Sequence, residues 1–191
     1  MSTVSATGSS GKPGDLPRSG PRVLVLMGVS GCGKTTVAAL LSDQLGWDFE
    51  EGDSLHPQAN VDKMAAGHPL NDEDRWPWLD KVAEWINGRL DAHQNGIVTC
   101  SALKRSYRAK LARPGVIFVY LNGDQETIAA RLARRQGHFM PAALLASQFA
   151  DLEEPGPDEA ALWVSVGPPP GEIVRTITED LSLGQQTPTI N

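Results

Sequence analysis

Gly28-Val-Ser-Gly-Cys-Gly-Lys-Thr35 follows the apolar run Arg22-Val-Leu-Val-Leu-Met27 and opens a helical pattern running from Lys34 to Leu45. The stretch fits G-x-x-x-x-G-K-[ST] in the strand-loop-helix setting that gives this motif its meaning. Glycines let the backbone wrap closely, so that its N–H groups point at phosphate oxygens. The helix start adds partial positive charge. A lysine in this place bridges the outer phosphates of a nucleotide, and the following hydroxyl suits Mg²⁺. Gly28, Val29, Ser30, Gly31, Cys32, Gly33, Lys34, Thr35 and Thr36 are therefore the candidate nucleotide contacts, with Lys34 catalytic and Thr35 the metal-binding hydroxyl. Cys32 reads as a small loop residue. The plain alternative is a glycine turn that merely starts a helix.

Outward from this loop, short apolar runs alternate with helical patterns. Trp47–Glu51, Gly96–Cys100, Val116–Leu121 and Ala161–Val166 read as further strands. Leu79, Val82, Ile86 and Leu90 share one helical face, Ile128 and Leu132 share another, and a last helix spans Gly171 to Leu181. Strands alternating with helices imply an α/β fold, a mostly parallel sheet covered on both sides. Ligands in such folds sit beyond the carboxyl ends of the strands. The Ser-, Gly- and Pro-rich residues 1–21 are expected to be a flexible leader, 22–182 the domain, and 183–191 a flexible tail.

Composition excludes several classes. Of 191 residues, 40% are hydrophobic and 21% charged, which argues against wholesale disorder. The net charge of −6 argues against a general nucleic-acid or anionic-membrane binder. Two cysteines, Cys32 and Cys100, make no disulfide framework, and a reducing cytoplasm is the expected location. No apolar run approaches the roughly 18–20 residues of a membrane helix. The N-terminus lacks the apolar core of a signal peptide.

No Asn-Lys-x-Asp guanine reader occurs, and no acid closes the third strand, which points away from GTPases and motor ATPases. A small-molecule kinase is the better expectation. Asp53, in Glu51-Gly-Asp-Ser-Leu-His-Pro57, stands just beyond the second strand. A carboxylate there can orient an acceptor hydroxyl and accept its proton; a turn or helix-cap aspartate is the alternative. His56 in the same loop is a candidate polyol contact. Asp72 and Asp74 suit a helix N-terminus electrostatically, so capping is their default role. Arg75, a cation in that first turn, is expected to meet an anionic ligand, or else to pair with Asp72. Trp76 and Trp78 read as core or pocket wall. Beyond the third strand, small Ser101 permits close ligand approach. Lys104 and Arg108, four apart, are expected on one helical face toward the pocket, the alternative being a solvated surface.

A basic stretch, Ile128 to Pro141, interrupts this acidic chain. Arg131, Arg134 and Arg135 crowd the end of a helix, either as surface charges near a helix C-terminus or as phosphate clamps of a mobile lid over the nucleotide. Gly137 permits a bend, and His138 would then face the pocket.

Taken together, these motifs resemble the thermoresistant-type gluconokinases, in the shikimate-kinase and nucleoside-monophosphate-kinase group of P-loop folds. The resemblance is carried by Met27–Lys34, Glu51-Gly-Asp-Ser-Leu-His-Pro57, Lys63-Met64, Pro69-Leu-Asn-Asp72, Asp74-Arg75, Pro77-Trp-Leu79, Cys100-Ser-Ala-Leu-Lys104, Tyr107-Arg108, Gly137-His-Phe139 and Ser147-Gln-Phe149 with Leu152-Glu-x-Pro155. It covers residues 22 to 182, nearly the whole chain. Cys32 and Thr35 stand where relatives more often carry Ser. The resemblance implies a three-layer P-loop kinase fold with a five-stranded parallel sheet and a helical lid. It also implies ATP and Mg²⁺, and phosphorylation of D-gluconate at its 6-hydroxyl to 6-phospho-D-gluconate. Family members are often dimers, so a homodimer is an expectation. Kinases for another hydroxylated acid or a nucleotide, and a non-catalytic ATP-binding module, are the competing readings.

Overall fold

The computed structural model describes residues 16, 18–135 and 142–184. Five strands, β1 (Val23–Met27), β2 (Asp48–Glu51), β3 (Gly96–Thr99), β4 (Val116–Asn122) and β5 (Ala161–Ser165), form one parallel sheet in the order β2-β3-β1-β4-β5. The helices are α1 (Lys34–Leu45), α2 (Gln58–Ala65), α3 (Asp72–Asp91), α4 (Arg105–Leu111), α5 (Gln125–Arg134), α6 (Ala142–Asp151) and α7 (Pro170–Asp180). A short 3₁₀ turn, Gly52–Leu55, follows β2.

Side-chain alternation along the strands divides the core in two. Leu24 and Leu26 of β1 point, with Ile117, Val119 and Val164, into a core closed by Val37 and Leu41 of α1 and Ile173 and Ile177 of α7. Val23, Val25 and Met27 point the other way, with Val98 and Phe118, against Trp78, Val82 and Ile86 of α3 and Tyr107 and Leu111 of α4. That two-sided burial is why β1 reads as continuously apolar. β2 is the sheet edge and only half buried.

β1 lies between β3 and β4, and its chain leaves by α1 for the far edge strand. The carboxyl end of β1 is therefore the crevice where an open parallel sheet receives ligands. Register places Glu51 beside Thr99, and Thr99 beside Leu26, so three strand ends open together.

Element limits differ little from expectation. Arg22 is outside β1, because its N–H donates to Asn95 Oδ1 and its guanidinium to the Leu181 carbonyl. Packing also reaches past the expected limits of the domain. Leu183, assigned above to the tail, is 7% exposed, and Leu16, assigned to the leader, rests on the same core. Both are apolar side chains within reach of the α1–α7 layer.

Gly52 fixes how closely the end of β2 approaches β3. A Cβ there would stand 1.8 Å from the Thr99 carbonyl oxygen. Its N–H donates to Thr99 Oγ1 at 3.0 Å and its carbonyl accepts from Trp78 Nε1 at 2.8 Å. Gly52→Ala is expected to cost about 3 kcal/mol, a large single-site loss. The urea midpoint checks this; an unchanged midpoint would mean that the strand end is free to move.

Candidate active site

The phosphate loop turns between β1 and α1. Gly28 has φ 140°, and a Cβ there would meet Cys32 Sγ at 2.9 Å and the Leu121 carbonyl at 3.0 Å, so glycine alone fits. The Gly28 N–H donates to the Ser101 carbonyl at 3.2 Å, tying the loop to the exit of β3. Lys34 Nζ folds back over the loop, donating to the carbonyls of Gly28 (2.9 Å) and Val29 (3.1 Å). A cation held by two neutral acceptors has charge to spare for phosphate.

Glu51, quoted above in its motif but given no role, stands at the centre of the β2 end. Its Oε2 accepts from Thr35 Oγ1 at 2.6 Å, and its Oε1 accepts from the Thr99 hydroxyl. A hydroxyl beside a carboxylate is a hard oxygen-donor pair that suits Mg²⁺. Among the described residues, no cluster of three or more His, Cys, Asp or Glu side chains could hold a metal. Thr35 and Glu51 are the residues that would hold such an ion. Its place as the last residue of β2, at the carboxyl end where such sheets receive ligands, was the signal that could have found Glu51.

Asp53 follows in the 3₁₀ turn with its side chain 75% exposed. His56 is its opposite, with a side chain only 5% exposed and 3.9 Å from the Asp53 carboxylate. The His56 ring stacks on Trp78 at 4.2 Å between centroids. Burial lowers the His56 pKa below 6.5; the Asp53 charge opposes this and the Arg75 charge adds to it. The Cys100 thiol is pushed up to about 12 by burial, with Asp53 raising it and Lys34 lowering it. Lys34 and Asp53 thus act electrostatically on one strand tip.

A second group of charges lies across from this tip. Arg75 Nη1 donates to Tyr107 Oη at 2.9 Å and to Asp151 at 3.2 Å. Lys104 Nζ donates to Asp72 at 2.9 Å, and the Tyr107 hydroxyl donates to the same carboxylate. These hydrogen bonds, Tyr107 first, hold Asp72 below the usual aspartate range. The sequence reading of Asp72 as a cap is corrected here. Asn71 caps α3 in a capping box with Asp74, which frees Asp72 for Lys104. Arg75 likewise pairs with Asp151, not Asp72. Asn71, Asp72, Arg75, Lys104 and Asp151 border a cavity of about 390 Å³. Ser101 is half-buried at the β3 exit.

Arg108 is not on the pocket, contrary to expectation. It is 1% exposed. Its guanidinium pairs with Glu159 at 2.6 and 3.1 Å and donates to the carbonyls of Ala102 and Leu103. Lys104 and Arg108 share no helical face, because Lys104 is the extended residue before α4. Ala102 has φ 43°, a strained turn for a residue with a side chain, and Arg108 holds its carbonyl in place. Arg108 thus shapes the loop that carries Ser101 and Lys104.

On the far side of the phosphate loop, Gly33, Thr36, Arg131, Leu132, Arg135 and Pro168 border a cavity of about 360 Å³. The Arg131 guanidinium donates to the Val166 carbonyl. Arg134 is exposed and off that wall, so two of the three expected arginines converge. His138 lies outside the described residues. Gln148 of α6, given no role above, hydrogen-bonds Ser30; the sequence carried no spacing that would reveal this contact.

Two expected outcomes follow from these partners. Arg108→Met leaves the largely enclosed Glu159 with only the more distant Arg105 as a cation and leaves the Ala102 and Leu103 carbonyls without their donor, and should cost about 3 kcal/mol. Adding Glu159→Leu should recover most of this in urea denaturation. His56 carries a lowered pKa only in the folded state, so the unfolded chain takes up the proton first as pH falls. Stability should drop as pH falls through 6.5 and below, and His56→Asn should flatten that part of the urea-midpoint profile.

Comparison with known proteins agrees with this geometry. Residues 30–162 match the sequence profile of the shikimate kinase family. A gluconokinase of Gluconobacter oxydans (strain 621H) is 54% identical over 147 residues, 76% of this chain and 83% of that protein. The thermoresistant gluconokinase of Escherichia coli (strain K12) is 42% identical over 166 residues, 85% of this chain and 95% of that protein. The crystal structure of a gluconokinase from Sinorhizobium meliloti 1021 superposes with a TM-score of 0.78 at 45% identity, covering 85% of this chain and 92% of that one. With identity at that level along most of both chains, over a sheet and phosphate loop of the kinase type, the chain belongs to the gluconokinases of the shikimate kinase family.

Proposed function

We propose that this protein transfers the γ-phosphoryl group of ATP to the 6-hydroxyl of D-gluconate, giving 6-phospho-D-gluconate and ADP. What supports it most is that the end of β2 puts Glu51 on Thr35 of the phosphate loop and leads directly into the turn that carries exposed Asp53 beside His56. The gluconokinase relatives support the same substrate.

In this mechanism the loop from Gly28 to Thr36, Val29 and Cys32 included, wraps the phosphates, and Lys34 leaves its two carbonyls for the β–γ bridge. Thr35, with Glu51 beside it, would hold Mg²⁺, which neutralises phosphate charge when bound. Asp53 orients the 6-hydroxyl and accepts its proton. Phosphoryl transfer is largely a matter of positioning and electrostatics, so the base acts chiefly by alignment. Arg75 and Lys104 take the gluconate carboxylate, which exchanges for Asp151 and Asp72 on the same cations. His56, neutral at pH 7, and Ser101 offer hydrogen bonds along the polyol. Arg131 and Arg135 face the nucleotide from the second cavity, with Arg134 able to join only if α5 turns. His138, outside the described residues, is the remaining residue proposed for substrate binding. A cytoplasmic location is part of this reading and rests on the two free, buried cysteines, which suit a reducing compartment.

Asp53→Asn should lower kcat on the order of 10²-fold, the scale of a lost acid–base group. Binding of a nonhydrolysable ATP analogue should stay unchanged. Arg75→Met should raise the KM for gluconate about ten- to a hundredfold, the worth of a charge-assisted hydrogen bond. Its effect on sorbitol, which has no carboxylate, should be far smaller. ADP formation over a panel of gluconate, sorbitol, shikimate and AMP measures all of this. Equal kcat/KM for gluconate and sorbitol in the parent protein would refute the cationic end of the pocket.

A further inference from the structure

Gln148 stands outside the groups assigned to the reaction, yet both ends of its carboxamide engage the phosphate loop. The Ser30 backbone N–H donates to Gln148 Oε1 at 2.7 Å, and Gln148 Nε2 donates to Ser30 Oγ at 3.1 Å. Donor and acceptor are matched on each side, so this pairing fixes the peptide and the hydroxyl of one residue together. Ser30 leads into Gly31 and Gly33, at φ 84° and 99°. Its orientation therefore sets the direction of the N–H groups that follow it, up to Lys34.

The helix that carries Gln148 is anchored on the acceptor side of the crevice. Leu145 is buried, and Leu152, just past α6, packs against both cores. Asp151, three residues on from Gln148 and so on the same helix face, accepts from Arg75. The Glu153 N–H donates to the Leu103 carbonyl at 2.8 Å, and the Glu153 side chain accepts from the Arg105 N–H at 2.7 Å. One short helix thus touches the phosphate loop with one residue and the Arg75 group with another.

We propose that Gln148 is a positioning residue for phosphoryl transfer. It holds Ser30, and through it the phosphate loop, at a fixed distance from the acceptor side on which α6 is seated. The assignment rests on the kinase reading above, but its loop half needs only ATP. In-line transfer requires reacting atoms about 3–3.5 Å apart, and a displacement of about 1 Å can cost on the order of 100-fold. Gln148 touches no reacting atom, so its loss should appear in kcat and not in the gluconate KM.

The test compares Gln148→Met, Ser30→Ala and the double variant. Methionine keeps the length and removes both hydrogen bonds. Gln148→Met should lower kcat about 10- to 100-fold while the gluconate KM stays within about twofold and Tm within about 2 °C. Ser30→Ala keeps the N–H bond and should lose less. The double variant should be no slower than Gln148→Met alone, because both changes remove the same contact. Basal ATP hydrolysis without acceptor should fall by the factor seen in kcat. A parent protein inactive on gluconate, with hydrolysis still sensitive to Gln148, would refute the substrate and keep the positioning role. A Gln148→Met kcat within about twofold of the parent would overturn the proposal. So would a loss of kcat accompanied by a fall in Tm and a rise in both KM values, since that pattern marks damage to the fold.

Discussion

Burial of β1 on both faces is the constraint on which the rest of the structure depends. Val23 to Met27 are fully enclosed, alternately by the α1–α7 layer and by the α3–α4 layer. A strand with no free face can meet solvent only at its ends. The chain leaves β1 for β2 at one edge and leaves β3 for β4 on the other side of β1, so the carboxyl end becomes a crevice. The phosphate loop fills that crevice because α1 starts there, its unpaired N–H groups pointing outward. Glu51, Asp53 and Ser101 arrive at the same place because parallel register brings every carboxyl end to one side.

Electrostatics sets the second constraint. An acidic protein of net charge −6 must accept two anions in one crevice. The cations of the acceptor side are each paired with a carboxylate: Arg75 with Asp151, Lys104 with Asp72, and nearby Lys63 with Asp74 at 2.6 Å. Partly exposed pairs of this kind contribute little to stability and open at little cost. Until another carboxylate arrives, each aspartate keeps its cation from standing unpaired. The Arg108–Glu159 pair is of another kind. Its arginine is buried and completed by two backbone carbonyls, so removing Glu159 would strand a charge inside the protein. Two arginines 33 residues apart in sequence thus differ in their surroundings: Arg75 pairs with the half-exposed Asp151, whereas Arg108 is enclosed and structural.

Much of the fold and the centre of the site were legible in the order of residues. An apolar β1, the glycine-rich turn and the helix from Lys34 to Leu45 form a local unit whose periodicity and turn chemistry suffice to identify it. The strands β3, β4 and β5 were legible because they are largely buried and apolar, whereas half-buried β2 showed only through its place in the alternation of strands and helices. Depth and partner choice were not legible. Arg108 looked like a pocket cation because helical spacing says which residues share a face but not where the helix begins; α4 starts after Lys104 and turns Arg108 inward. Asp72 looked like a cap because charge near a helix start is ambiguous until the capping residue is known to be Asn71. Glu51, Tyr107 and Gln148 gained their contacts from segments 16, 32 to 35 and 118 residues away. The sequence by itself determined the sheet, the phosphate loop and the kind of chemistry, since these follow from local pattern. Only the tertiary structure decided which cations face the crevice and which carboxylates hold them, because burial and long-range packing have no signature in local spacing.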